Sequence, residues 1–434
     1  MKRIYLLFIC ALVCVGASAQ YEPTEAVKQS QEQFRNDKFG IFLHWGIYSM
    51  MANGEWVQNN KNLNADEYQH LADGFYPSKF DAEQWVKAFK DAGARYITIT
   101  SRHHDGFSMF KTAQSDFNIV DGTPFHRDII AELAEACRKH GLHLHFYYSH
   151  LDWHRADYPL GWTGRKLGRP TNQQNWQSYY SFMNNQLREL LTQYGPIRCI
   201  WFDGIWDHDK DETPFDWQLD EQYQLIHQLQ PQCLVANNHH RPPFPGEDIQ
   251  VFEQDLPGEN QWGYKNYGVS SLALESCVTM NGSWGYDMTD KNYKSTDEIV
   301  QSLAKTAGRD GNLLLNIGPR PDGQLPSEAL ERLKEIGQWM QVNGQSIYGT
   351  RGGCVPPQSW GVTTQCGNTL YMHILSKGLQ TIYLPIAGYK VASAKMFGSQ
   401  QKVKVESVSS GAVITLNQPS TGPDTIVELS LVKK

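Results

Sequence analysis

The chain has no CxxC pair, no glycine-rich phosphate turn, no excess of basic residues and, past its first twenty residues, no long apolar run. Each absence removes a class of function. Eight cysteines scattered over 434 residues show neither zinc-ligand spacing nor a disulfide framework. Thirty-nine Lys and Arg against 46 Asp and Glu give a net charge of −7, so no nucleic-acid partner is expected. No later run approaches the ~18–20 apolar residues that span a bilayer, so no membrane insertion is expected either. The one pairing left open is Cys354 with Cys366, in an oxidising compartment. Cys199, Cys233 and Cys277 sit in apolar runs and read as core thiols.

The exception is the N-terminus, "MKRIYLLFICALVCVGASAQ". Lys2 and Arg3 lead an apolar stretch that ends in Ala17-Ser18-Ala19, the pattern of a secretory leader cleaved before Gln20. Val13 before Cys14 is a poor lipoprotein box. The expectation is therefore residues 1–19 as signal peptide and a soluble exported product, periplasmic or secreted.

The rest of the chain is rich in alternation. Eight apolar runs, "FGIFLHWG", "YITIT", "LHLHFYYS", "IRCIWFD", "CLVANN", "IQVFE", "ESCVTM" and "NLLLNIG", are separated largely by stretches of helical pattern such as "DAEQWVKAFKDAG" and "DIIAELAEACRKHG". Strands apolar on both faces and alternating with helices predict a parallel sheet covered on both sides. Eight units in roughly 300 residues is the size of a (β/α)8 barrel. Few helical residues separate the fifth and sixth runs, which allows an irregular or partly open barrel. An open doubly wound sheet is the alternative, but "HWGIYSMMANGEW" after the first run is not its phosphate turn. From Thr350 the pattern becomes short alternating runs set apart by Gly, Pro, Ser and Asn. The predicted organisation is a barrel domain over 20–349 and a small antiparallel β-sandwich over 350–434.

Barrel enzymes draw their active-site groups from the C-terminal strand ends. Read off run by run, those ends are His44; His103 and His104; Tyr147 and Tyr148; Trp201 and Asp203; Asn238 with Arg241 just beyond; Glu253; and Asn316. Two carboxylates facing one pocket, Asp203 and Glu253, are what glycoside hydrolysis needs: one to attack the anomeric carbon or activate water, one to protonate the leaving oxygen. Trp56, Trp201 and Trp284 offer apolar faces for a sugar, and the histidines and arginine offer hydrogen bonds to its hydroxyls. Plainer readings stand beside these. Asp203 can cap the next helix, Glu253 has Asp255 and Glu259 as neighbours, and His103-His104 can be a core pair. A catalytic metal is not expected, because "HLH" at His143–His145 begins its strand, at the wrong end of a barrel. No cofactor is implied.

On "KFGIFLHWGIYS", "NGEWV", "TSRHHDGF", "YYSHLDW", "WFDGIW", "FEQDLPG", "ESCVTMNGSWGY" and "GRDGNLLLNIGPRPDG" the sequence resembles the retaining α-L-fucosidases of glycoside hydrolase family twenty-nine. The resemblance implies hydrolysis of terminal α-L-fucosides by double displacement. It implies Asp203 as nucleophile and Glu253 as acid/base, with Glu275 as the alternative acid/base. It further implies substrate contacts from His44, Glu55, Trp56, His103, His104, Tyr148, Trp201, Arg241 and Trp284, with Tyr147 replacing Tyr148 if the strand phase slips by one. The partner implied is a fucosylated oligosaccharide or glycoconjugate, with the oligomeric state left open. Such a mechanism wants Asp203 ionised, its pKa held low by donors, and Glu253 protonated, its pKa raised by burial or nearby negative charge. The competing class is a barrel that binds sugar without cleaving it.

Overall fold

The computed structural model describes residues 21–263 and 268–434; the signal peptide expected over residues 1–19 lies outside them. Eight parallel strands close into a barrel: β1 (Phe39–Leu43), β2 (Tyr96–Arg102), β3 (His143–Ser149), β4 (Cys199–Asp203), β5 (Leu234–Asn238), β6 (Ile249–Glu253), β7 (Ala273–Thr279) and β8 (Gly311–Ile317). Closure is direct, with Phe42 opposite Asn316 and Leu43 opposite Ile317 across β1 and β8. That closure removes the open doubly wound sheet. The irregularity expected between the fifth and sixth strands is real, since β5 and β6 meet through the single pair Ala236–Ile249.

Polar residues begin the covering helices where the sequence pattern places them. Asp81, Asp128, Asn175 and Ser295 each accept the backbone N–H three residues on, satisfying a donor that the helix itself leaves unpaired. A helix not assigned from the sequence, Glu25–Asp37, adds Val27 and Phe34 to an apolar cluster with Tyr96, Cys199 and Leu234 of the barrel strands. Its apolar stripe is only these few residues wide, which is why periodicity missed it.

After the barrel, Arg351–Gly352, Gly361–Cys366, Thr369–Ile374, Thr425–Lys433 and Tyr389–Met396 form a five-stranded antiparallel sheet. Thr381–Leu384, Gly411–Thr415 and Lys404–Val408 form a three-stranded one. Alternate residues from both sheets, among them Leu370, Met372, Ile382, Ile414, Val427 and Leu429, bury one core between them. Cys354 and Cys366 do not pair; both thiols are free and exposed. Gly352 lies opposite Thr364 in an antiparallel pair, so the two cysteines run away from that point in opposite directions.

The helix ring closes at a tight contact. Gly337 lies inside the helix Ser327–Asn343, and a β-carbon there would stand 2.3 Å from the Asp91 carbonyl oxygen at the end of the helix Ala82–Asp91. Alanine favours a helix over glycine by ~1 kcal/mol, but a clash with fixed backbone costs ~1–3 kcal/mol. Gly337→Ala is therefore expected to lower the thermal unfolding midpoint; an unchanged or higher midpoint would show that the helices can slide apart freely.

Candidate active site

The C-terminal strand ends surround a cavity of about 490 Å³. Its lining includes Phe42, His44, Glu55, Trp56, His103, His104, Tyr147, Trp201, Asp203, Asn238, His240, Glu253 and Trp284. Of the site residues expected from the sequence, Tyr148 and Arg241 are not in it.

Tyr148 fails by strand phase. Successive side chains on a strand point to opposite faces. Tyr147 points inward and donates its hydroxyl to Asp203 Oδ2 at 2.9 Å. Tyr148 points outward, where its hydroxyl donates to Gln186 Oε1 at 2.7 Å and the Arg102 guanidinium lies 5.3 Å from its ring. Arg241 fails by loop geometry. His240 adopts a left-handed backbone conformation, φ 56°, and it is His240 that lines the pocket. Arg241 pairs with Asp209 and lines a neighbouring cavity instead.

Asp203 ends β4 and does not cap a long helix; only the short 3-10 turn Ile205–His208 follows. Its Oδ1 accepts the Gly204 N–H at 2.8 Å and the Trp206 indole N–H at 2.9 Å. Gly204 can supply that bond because its φ of 97° is readily available to glycine. Trp206 was missed from the sequence. Its signal is the i+3 spacing in "DGIW", which returns the indole to the carboxylate over one tight turn.

Asn238 joins the two carboxylates. Its Nδ2 lies 2.8 Å from Glu253 Oε2 and 3.5 Å from Asp203 Oδ1. His240 Nε2 stands 3.3 Å from the same Glu253 oxygen. The pKa shifts run in directions opposite to those expected from the sequence. Burial and the Glu253 charge push Asp203 up to about 7, against the lowering effect of the Trp206 and Tyr147 bonds. Burial works to raise Glu253 as well, but the bond and charge of His240 and the Asn238 amide outweigh it and leave its pKa lowered. Two carboxyls this close titrate as a pair. The single proton of the half-ionised pair therefore belongs to both acids together and not to either one.

The alternative acid, Glu275, sits within β7, fully buried below the pocket. Its two oxygens accept the Tyr96 hydroxyl at 2.7 Å and the Trp201 indole N–H at 2.9 Å. Burial raises its pKa to about 7. It holds Trp201 in place but does not line the cavity.

The histidine tautomers follow from their partners. Asn316 donates to the Trp284 carbonyl at 2.7 Å, so its oxygen faces His44 Nδ1 at 2.7 Å. His44 must donate from Nδ1, and burial holds its pKa at about 4. Ser149 donates to the Leu151 carbonyl and so accepts from His104 Nδ1 at 2.7 Å. In both rings Nε2 is left as an acceptor. His104 Nε2 stands 3.6 Å from Asp203 Oδ2, and burial drives its pKa well down. His103 stacks on Tyr147 at 5.2 Å. Glu55 accepts the Gly285 N–H at 2.7 Å, and Trp56 stacks on Trp206 at 5.6 Å.

Neutral imidazole acceptors, aromatic walls and a pair of acids at the bottom of a small pocket suit a sugar ring better than any charged ligand. That chemistry, on this barrel, is a glycoside hydrolase. The chain belongs to the alpha-L-fucosidase family, whose profile matches residues 9–345. It is 34% identical to the solved alpha-L-fucosidase isoenzyme 1 of Paenibacillus thiaminolyticus, with a TM-score of 0.82 over 94% of this chain and 100% of that one. It is 32% identical to the tissue alpha-L-fucosidase of Rattus norvegicus over 73% of this chain and 70% of that protein. It is 28% identical to an alpha-L-fucosidase of Dictyostelium discoideum over 98% and 96%.

Tyr147→Phe removes one donor from Asp203 and leaves the ring stack intact. A hydrogen bond to a charged group contributes ~1.5–3 kcal/mol, and 1.36 kcal/mol is one pKa unit. Losing the bond disfavours the carboxylate, so the acidic limb of kcat/KM should move to higher pH by about one to two units. A profile that keeps its acidic limb would show that Tyr147 does not set the Asp203 charge.

Proposed function

We propose that the protein is an exported, retaining α-L-fucosidase that releases terminal fucose from glycans through a covalent fucosyl-enzyme intermediate. One observation carries the retaining reading, the shared amide of Asn238. Asp203 Oδ1 and Glu253 Oε2 lie 3.5 Å and 2.8 Å from one nitrogen. Sharing one nitrogen keeps the near oxygens of the two acids together, which suits the ~5–5.5 Å carboxyl separation of a retaining enzyme better than the ~6.5–9.5 Å that lets an inverting enzyme place water between its acids.

In this reading the Asp203 carboxylate attacks C1 while Glu253 protonates the departing oxygen. Glu253 then takes a proton from water, which attacks C1 and frees the Asp203 carboxylate, restoring the original configuration. The reactive pair carries its charge on Asp203 and its proton on Glu253. That is one of the two arrangements open to a pair that shares a single proton. The Tyr147, Trp206 and Gly204 donors favour charge on Asp203 once substrate presents its leaving oxygen to Glu253. The neutral acceptors His44 and His104 suit sugar hydroxyl donors, and Trp284 or Phe42 suits the methyl group that fucose carries where galactose has a hydroxymethyl. Export rests on the leader sequence alone and is checked by the N-terminus of the mature protein.

Asp203→Ala should abolish turnover. A 2-fluoro-fucosyl fluoride should add one sugar mass to the peptide carrying Asp203. Glu253→Ala should slow substrates with poor leaving groups by ~10²–10⁴-fold and spare activated ones. If Glu275→Ala shows that selective loss and Glu253→Ala does not, the acid/base assignment is wrong. Sugar binding with no turnover of any α-L-fucoside would instead support a non-catalytic barrel.

A further inference from the structure

The pocket wall continues past the sugar-sized space to the mouth, and there it is built with unusual stiffness. Trp162 stands at the edge with 38% of its surface exposed. It also lines the cavity, as do Trp206, Asp209 and Lys210. Its backbone N–H donates to the Asp207 carbonyl at 2.9 Å. The flanking Gly161 and Thr163 N–H groups donate to the Asp207 carboxylate at 3.2 Å and 2.8 Å, and the Tyr158 hydroxyl joins them at 2.8 Å. The indole N–H of Trp162 is fixed too, on the Trp206 carbonyl at 3.2 Å. A β-carbon at Gly161 would lie 2.1 Å from the Asp207 carbonyl oxygen, so the two loops meet backbone to backbone.

None of this fastening needs an indole in solvent. A large apolar ring left more than one-third in water forgoes part of its gain from burial, yet its position is fully determined. Its ring lies 5.8 Å from that of Trp206, which in turn stacks on Trp56 and hydrogen-bonds Asp203. The aromatic surface therefore runs unbroken from the reacting carboxylate to the rim. The Lys210 ammonium lies over the Trp162 ring, 3.8 Å from its centroid, and Lys210 lines the cavity as well, so it offers N–H donors beside the indole. Glu55, Asp203, Asp209 and Glu253 also face the cavity, against Lys210 as the one ammonium among its described lining residues. An anionic occupant would be repelled.

We propose that Trp162, Trp206 and Lys210 form a subsite for the leaving group, taking a neutral, hydroxyl-rich saccharide ring whose apolar face packs on Trp162. This rests on the fucosidase reading and adds the part of the substrate that the reading leaves open.

The test compares two substrates on the full chain: α-L-fucosyl fluoride, whose leaving group is too small to reach Trp162, and a neutral fucosylated trisaccharide. Trp162→Ala should lose roughly tenfold more kcat/KM on the trisaccharide than on the fluoride, as expected for a lost aromatic packing surface. Trp162→Phe should recover part of that difference, and Lys210→Ala should show a smaller loss of the same kind. Turnover of the fluoride serves as the measure of folded enzyme. Equal losses on both substrates, or none on either, would overturn the subsite. A preference of the wild type for the sulfated form of the same trisaccharide would overturn its neutral character. Failure of the wild type to cleave even the fluoride would instead remove the fucosidase reading on which the subsite stands.

Discussion

Two buried carboxylates on one amide nitrogen are the constraint around which this molecule is arranged. Like charges so close cannot both ionise cheaply in a low-dielectric pocket, and the surroundings are what keep one of them charged. Three donors surround Asp203 from β3, from the turn after β4 and from its own next peptide; Asn238 and His240 serve Glu253 from β5 and the loop after it. No single strand could supply this set. It needs a barrel, because only a closed ring of parallel strands brings that many strand ends to one place.

Beneath the pair, the barrel interior is not simply apolar. Glu275 takes the Trp201 and Tyr96 donors, which would otherwise lie buried and unpaired at a cost of ~1–3 kcal/mol each. The indole that forms part of the pocket wall is thus anchored from below, and Tyr147 packs on it at 5.5 Å. The hydroxyl that bonds Asp203 is placed by a chain of contacts starting at an acid that never meets the substrate pocket. This explains how a glutamate next to a recognisable motif can have a structural position while Glu253, one strand away, faces the cavity.

The barrel was legible in the sequence because its signals are strong and repeated: apolar runs of strand length, capped helices between them, and polar residues at each run's end. Asp203, Glu253, His44, His103, His104 and Trp201 follow from those ends, Trp56 and Trp284 offer themselves as aromatic faces, and Glu55 comes only from the family resemblance. The illegible part turns on single-residue geometry. Tyr147 and Tyr148 differ by one step of a period-two pattern, and both are aromatic, so composition cannot choose between them. His240 and Arg241 are separated by a loop whose direction depends on one positive φ. The directions of the two pKa shifts were illegible for a related reason: burial acts on both acids, and the balance is set by neighbours from other strands whose approach no spacing reveals.

The contact between Gly161 and Asp207 ties the segment after β3 to the segment after β4 without leaving room for a side chain. Loops of this kind are usually where homologous enzymes diverge most freely. Here neither can lengthen or turn without displacing the other, so the two behave mechanically as one unit. Changes in what this pocket mouth accepts would have to arise as paired changes in two stretches of sequence some 45 residues apart, or not at all.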